Sequence, residues 1–434
     1  FPDRATEHRM TNMLDSSKTH LDFDRQDHLQ VVDALRGYAI LMVIAVHSIG
    51  HNEDLVWPAM RPLALGFYGV QLFFLASALT LLMSWSRSDD SFARRSGKFL
   101  IRRFFRIAPL YYLAVVFYWF AYSTPPADFS FKILLASLLF YNAWSPYLIP
   151  TVPGWTPVPG GWSIGVEFFF YFTFPFLALL VGTLRRAIVF FVVALAIMIA
   201  AFIGGGHLYP EITYEERANF LYFWPPNQLV IFSLGFLLYH CVTNKSVRQW
   251  IMASRITANG ASIALCCVLF GLSFYGPRKS FDWSSFLPPT HLLISLFFLP
   301  WAIVLVIKPK GWAINTAIIG LGQVSFSAYI LHFAVLAYVG TFLKHVWPLK
   351  TVGVLSIAYS AALLVAAIVI TRYVSGLSYR HIEQPFIKMG KSFIRRIYPD
   401  VENNCDSHRR LVQSSGHTKD DDHVQQPRRT PANP

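Results

Sequence analysis

The sequence predicts an all-α fold, a polytopic transmembrane bundle of about ten spans, and three observations carry that prediction. Hydrophobic residues make up 54% of the chain and charged residues only 14%, whereas soluble domains carry about 25% charged residues. Aromatic residues reach 16%, enough to furnish belts at two membrane interfaces. The apolar residues also fall into runs of roughly 17 residues or more, the length a helix needs to cross a bilayer core.

Charge and cysteine usage exclude other classes. The formal net charge is +13, but the basic residues collect at the ends of apolar runs. That placement sets membrane orientation and does not build a nucleic-acid-binding face. Cys241, Cys266, Cys267 and Cys405 have neither disulfide-framework nor zinc-site spacing.

Taken in order, residues 1–30 are polar and mixed in charge and are expected to be disordered. This stretch does not resemble a secretory leader, so the first apolar run reads as a retained span. Spans follow at 32–50, 63–86, 106–122, 163–182, 186–204, 221–242, 257–275, 290–307, 318–343 and 352–375. Phe131 to Trp144 is apolar but short, which leaves open a re-entrant or interfacial segment.

The positive-inside rule decides the count. Arg87, Arg94, Arg95, Lys98, Arg102, Arg103 and Arg106 mark one cytoplasmic connection, and Arg185 with Arg186 marks the next. An even number of crossings must separate the two, so 131–144 should not span. Of the 37 Lys and Arg residues, only Arg61, Lys132, Arg217, Arg278, Lys279, Lys344 and Lys350 then fall on the outer side. Both termini are expected in the cytoplasm. The transmembrane domain is expected over 31–376 and a cytoplasmic amphipathic segment over 377–399, where Phe393, Ile394 and Ile397 oppose Lys388, Lys391, Arg395 and Arg396. Residues 400–434 read as a disordered tail.

Several polar residues interrupt the apolar runs, and intramembrane ionisable groups are functional candidates. Arg36 and His47 lie in the first span with ten residues between them, which puts them roughly 16 Å apart along a helix. The competing readings are a plain positive-inside anchor for Arg36 and an imidazole hydrogen-bonded between helices for His47. His51 shares the face of His47, but no third residue is spaced to complete a metal site, so none is expected. Arg102, Arg103 and Arg106 suit a phosphorylated ligand or, equally, lipid headgroups. Glu167, one turn into its span, requires a partner or a cavity. Tyr329 and His332 share a face near the middle of a later span.

Six blocks together resemble one family. Asp33-Ala-Leu-Arg-Gly with His47, Gly69-Val-Gln-Leu-Phe-Phe, Arg102-Arg-Phe-Phe-Arg-Ile-Ala-Pro, Trp162-Ser-Ile-Gly-Val-Glu, Ser327-Ala-Tyr-Ile-Leu-His and Ile382-Glu-Gln-Pro are similar, in order and spacing, to the signature blocks of acyltransferase family 3. These are membrane proteins that O-acetylate lipopolysaccharide, exopolysaccharide, nodulation factors and some antibiotics. The resemblance covers about residues 30–390. Ser77-Ala-Leu departs from the Ser-Gly of many members. The hydrolase-like domain that some members append is not seen, so a stand-alone membrane enzyme is expected.

The resemblance implies acyl-coenzyme A, usually acetyl-coenzyme A, as co-substrate, with no tightly bound cofactor. It implies a carbohydrate or glycolipid hydroxyl as acceptor, and a multi-pass place in the cell membrane, the inner membrane of a Gram-negative cell. Arg36, Arg102, Arg103 and Arg106 would bind donor phosphates. His47, Glu167 and His332 would carry the chemistry, supported by Asp33, Trp162, Ser163, Ser327, Tyr329 and Glu383. The alternative from another class is a proton-coupled transporter or flippase using the same buried His and Glu groups.

Overall fold

Ten helices of the computed structural model are long and apolar enough to cross a membrane, counted among the described residues. Those residues are 25–52, 54–88, 90–121, 129–149, 155–275, 289–347 and 353–399. Most of the expected disordered start, and the tail from 400 onward, lie outside them. No strand occurs among the described residues.

In chain order the helices are α1 (Arg25–Ser48), α2 (Trp57–Ala64), α3 (Gly69–Trp85), α4 (Phe92–Ala121), α5 (Phe131–Leu138), α6 (Gly161–Leu180), α7 (Leu184–Leu208), α8 (Tyr214–Phe223) and α9 (Pro225–Thr243). They continue with α10 (Lys245–Ala253), α11 (Ala258–Tyr275), α12 (Thr290–Ile307), α13 (Thr316–Gln323), α14 (Ser325–Val346), α15 (Val354–Ser378) and α16 (Gln384–Ile397). Side-chain caps open several of them. Thr183 accepts from the Arg186 amide at the start of α7, Asn315 from Ile318 at α13, and Thr213 with Glu216 forms a capping box on α8.

Helix α1 is the hub, packed against α3, α12, α13, α14 and α15. It is therefore apolar on several faces, with Leu35, Ile40 and Ile44 fully buried. The second hub is α9, which packs on α3, α6, α7 and α12. Phe232 of α9 stacks on Phe170 and Phe74 at centroid distances of 3.7 and 4.7 Å. Helices α7 and α11 are peripheral and expose apolar side chains such as Val192 and Ile263 outward.

The ten-span count agrees with the charge argument, because 131–144 yields only the eight-residue α5 and turns. Eight residues rise roughly 12 Å, far short of a bilayer core. The boundaries differ in four places. The second span begins earlier, as α2 joined to α3 through a 3₁₀ turn at Leu65–Tyr68, with Pro62 inside α2. The third begins at Phe92, since the basic residues placed in a connection are good helix formers and extend α4 to 30 residues. The ninth is broken at Val324 into α13 and α14. The tenth does not end at 375. It runs through a π turn at Tyr379–Glu383 into α16, because a π bulge relieves the clash and missing donor that Pro385 would otherwise impose. Helix α16 then lies antiparallel on the first half of α4, with Phe393 5.8 Å from Phe105 and Arg94 donating to the Tyr398 carbonyl at 3.2 Å.

At the start of α4, Asp90 is paired with Lys98 at 3.0 Å and Arg94 at 3.1 Å. The Lys98 hydrogen bond holds its carboxyl below the usual carboxylate range. That stabilisation is present at neutral pH and is lost as pH falls through the depressed value. It is small for a pair this exposed.

Close backbone approach locks α13 onto α1. A Cβ added to Gly322 would sit 1.7 Å from the Asp33 carbonyl oxygen, and one added to Gly37 would sit 2.2 Å from that of Ile318. Both obstacles are backbone, so the helices must separate to admit a methyl group. Gly322→Ala is expected to destabilise the fold by about 1–3 kcal/mol, read as a lower thermal midpoint in detergent. An unchanged midpoint would contradict the α1–α13 contact.

Candidate active site

The break between α13 and α14 opens onto a cavity inside the bundle. Its lining includes Arg36 of α1, Ser77 of α3, Arg103 and Arg106 of α4, Ser163, Glu167 and Tyr171 of α6, and Ser325 and Tyr329 of α14. Arg103 and Arg106 are three residues apart and so share a helical face. Arg102, immediately before Arg103, is exposed. Three of the four candidate donor-binding arginines thus converge on one cavity, and Arg102 does not line it.

The helix geometry explains how arginines from a basic connection reach the interior. Because α4 is a 30-residue helix, Arg103 and Arg106 are carried inward as part of a span. Arg36 reaches the same level from α1, where its Nη2 donates to Thr80 Oγ1 at 3.1 Å. Asp33, one turn earlier, lies beside the Gln323 side chain and within electrostatic reach of Arg36.

Glu167 lines the same cavity, within electrostatic reach of Arg36 and Arg103. Ser77 Oγ donates to its Oε1 at 2.8 Å, and the Tyr171 hydroxyl donates to the same oxygen. An unpaired carboxylate at this depth would be prohibitively costly. Two hydroxyl donors and the surrounding guanidinium groups make it tolerable. Both hydroxyls bind Oε1, so neither of them occupies Oε2. The sequence assigns no role to Ser77, Thr80 or Tyr171, although the i, i+4 spacing of Tyr171 from Glu167 is a readable signal.

The α13–α14 break is itself anchored. Glu383, buried in the π turn, accepts from the Ser327 backbone N–H at 3.1 Å and from the Ser327 hydroxyl. The hydroxyl also lies 2.9 Å from Ser378 Oγ. A carboxylate on the first turn of α14 satisfies an orphan amide and complements the helix dipole. Glu383 and Ser327 therefore fix the position of Ser325 and Tyr329 in the cavity wall. Trp162 faces elsewhere, against Phe223, Tyr222 and Phe74 at 4.5, 5.4 and 6.4 Å, and packs α6 on α8 and α3.

Tyr329 forms the far wall. Its hydroxyl donates to the Gly160 carbonyl at 3.0 Å and accepts from Ser163 Oγ at 2.8 Å. One turn further along α14 is His332, fully buried. Its ring centroid is 5.3 Å from that of His47, and Phe333 flanks both rings at 4.0 and 4.4 Å. His332 Nδ1 lies 2.7 Å from the Tyr329 carbonyl and 3.2 Å from that of Ala328. Carbonyl oxygen only accepts, so Nδ1 carries the hydrogen, and the neutral ring has its lone pair on Nε2. Nε2 is buried without a hydrogen-bond partner. The imidazole beside His47 is thus His332, while Glu167 lies with the arginines on the other side of Tyr329. Among the described residues no group of three or more His, Cys, Asp or Glu side chains is arranged to hold a metal ion.

A family model described as an acyltransferase domain, acyltransferase family 3, matches residues 29–372. The chain belongs to this family. It is a multi-pass membrane acyltransferase, and membership decides for group transfer over transport. The chain is similar to "Acyltransferase MdmB" of Streptomyces mycarofaciens, with 24% identity over 391 residues, 83% of this chain and 92% of that protein. It is also similar to "Putative O-acetyltransferase SACOL0978" of Staphylococcus aureus strain COL, with 24% identity over 406 residues, 87% of this chain and 60% of that longer protein. No solved structure matches.

The donors to Glu167 give a test of its expected part in the reaction. Ser77→Ala and Tyr171→Phe each remove a hydrogen bond to a charged group, worth about 1.5–3 kcal/mol. Each is expected to lower acyl-transfer kcat/KM by about 10- to 150-fold, checked by steady-state kinetics on folded protein. Unaltered kinetics in both variants would remove Glu167 from the machinery.

Proposed function

We propose that the protein transfers an acyl group, acetyl above all, from acyl-coenzyme A to a hydroxyl of a carbohydrate or glycolipid. The observation that carries the reading is the division at Tyr329: a cavity with three converging arginines on one side, and a buried, unpaired imidazole nitrogen beside a second histidine on the other. Guanidinium forks match phosphate oxygens bidentately, so Arg36, Arg103 and Arg106 suit the phosphates of coenzyme A. The basic residues flanking that end support a cytosolic side for it, where coenzyme A thioesters reside, and the reading puts both termini on the same side.

In this reading the pantetheine arm runs past Glu167 toward Tyr329 and presents the thioester carbonyl there. The acceptor hydroxyl reaches His47 and His332 from the opposite end. His332 Nε2 takes the hydroxyl proton as the oxygen attacks the carbonyl carbon. The C–S bond then breaks, and the leaving thiolate takes up the proton held by His332, which returns the imidazole to its neutral form. The Tyr329 and Ala328 carbonyls, which hold Nδ1–H, orient the ring and stabilise the imidazolium. The Tyr329 and Ser163 hydroxyls, which otherwise donate to the Gly160 carbonyl and to Tyr329, turn their hydrogens toward the developing oxyanion. Glu167 keeps the arginines aligned. A thioester is already activated, so the protein's task is to orient it and exclude water. The bundle is assigned to the cell membrane, the inner membrane in a Gram-negative host.

Reconstitution with radiolabelled acetyl-coenzyme A and a panel of glycans and glycolipids tests the proposal. Coenzyme A release that requires acceptor, and is lost in Arg36→Ala and His47→Ala, supports it. Acceptor-independent release, or labelling from a donor without coenzyme A, would overturn it.

A further inference from the structure

The two histidines beside Tyr329 have a third imidazole beyond them. His51 ends the 3₁₀ turn Ile49–His51 that continues α1, and it follows His47 by four residues, the spacing that puts two side chains on one helical face. The two rings lie within electrostatic reach of each other, and Lys344, in the last turn of α14, lies within reach of His51. Exposure rises along this line. His332 is fully buried, whereas His47 and His51 are partly exposed. The seam between α1 and α14 thus carries imidazoles from the reaction centre toward the end of the bundle opposite the arginines.

The His51 ring has a built seat. A Cβ added to Gly340 of α14 would sit 3.0 Å from His51 Nδ1 and 3.3 Å from its Cγ, so a methyl group there would displace the ring. The next residue, Asn52, donates to the Ser356 carbonyl at 2.9 Å and to Ser360 Oγ at 2.7 Å, which pins the turn to α15. Among the described residues neither nitrogen of the His51 ring makes a hydrogen bond. A positioned donor and a positioned acceptor are therefore open to a ligand.

On the hydroxyl-acceptor reading of the site, we propose that His51 binds the acceptor, hydrogen-bonding one of its hydroxyls while another hydroxyl of the same molecule reaches His332 Nε2. A neutral imidazole donates through one nitrogen and accepts through the other, which matches a molecule carrying several hydroxyls. The reacting oxygen is not the one held by His51. Its hydrogen bonds are the same before and during transfer, so they lower the KM for the acceptor and leave kcat alone.

The full chain is assayed with acetyl-coenzyme A and a panel of methyl glycosides of glucose, galactose, mannose and N-acetylglucosamine. His51→Phe keeps a ring against Gly340 but has no nitrogen, and it is expected to raise the glycoside KM by about 3- to 10-fold, the scale of one neutral hydrogen bond. The KM for acetyl-coenzyme A and kcat should not change. His51→Gln, which both donates and accepts, should recover most of the affinity, a rescue that a packing role does not predict. His51→Ala should match His51→Phe, and it decides the case if the larger ring does not fold. A native glycoside KM in the Phe and Ala variants would overturn the assignment, as would an equal loss in the Gln variant. Failure of the acceptor reading looks different: the unmutated protein would then release no coenzyme A in response to any glycoside, and the role of His51 would fall with it.

Discussion

Replacing His332 by Asn is expected to lower acyl transfer by about 10²- to 10⁴-fold, the range for loss of a positioned proton acceptor. Asn keeps an N–H near the place of Nδ1 and can still donate to the Tyr329 carbonyl, 2.7 Å away in the native protein. It offers no basic nitrogen in place of Nε2. Donor binding, measured separately with a non-transferable coenzyme A analogue, should be unchanged, because His332 does not line the arginine cavity. The loss should therefore fall on kcat. Near-native transfer by His332→Asn would refute the base role and move it to His47, whose ring lies 5.3 Å away.

The arginines should show the opposite signature. Arg103→Lys keeps the charge but replaces a planar fork with a point charge, so it tests geometry rather than electrostatics. Loss of one bidentate phosphate contact, about 1.5–3 kcal/mol, should raise KM for acyl-coenzyme A by about 10- to 150-fold, with a smaller change in kcat. Arg36→Lys and Arg106→Lys should behave alike, since all three side chains line one cavity. Arg102→Ala provides the contrast. Its side chain is exposed and outside the cavity, so KM should stay within about threefold of native, the scale of an exposed charge. Steady-state kinetics across the four variants decides, and a large Arg102 effect beside a small Arg103 effect would invert the assignment.

Much of the architecture was legible because bilayer physics leaves few alternatives. Apolar runs of spanning length must be helical to satisfy their backbone groups, and the basic connections at 87–106 and 185–186 could share a side only if Phe131–Trp144 did not cross. The departures concern local geometry. Pro385 predicts a helix stop, and only packing against α4 shows that a π turn carries the helix past it to Ile397. Val324 gives no signal of the break between α13 and α14, because that break is held by Glu383, 56 residues from Ser327 in the chain.

The sequence by itself determined the fold class, the number of spans and the kinds of chemical group involved. Composition and the cost of burying charge act locally and leave marks along the chain. Which groups meet was decided by the tertiary structure alone. Arg102 and Arg103 are adjacent in sequence, yet helix rotation sends one to the surface and the other into the cavity. Glu167 lines one cavity with Ser77, Tyr171 and the arginines, while His332 joins His47, because α6 packs on α3 and α4 whereas α14 packs on α1. Pairing between distant helices depends on rotation and register set by contacts such as Gly322 on Asp33, and no spacing along one helix encodes those.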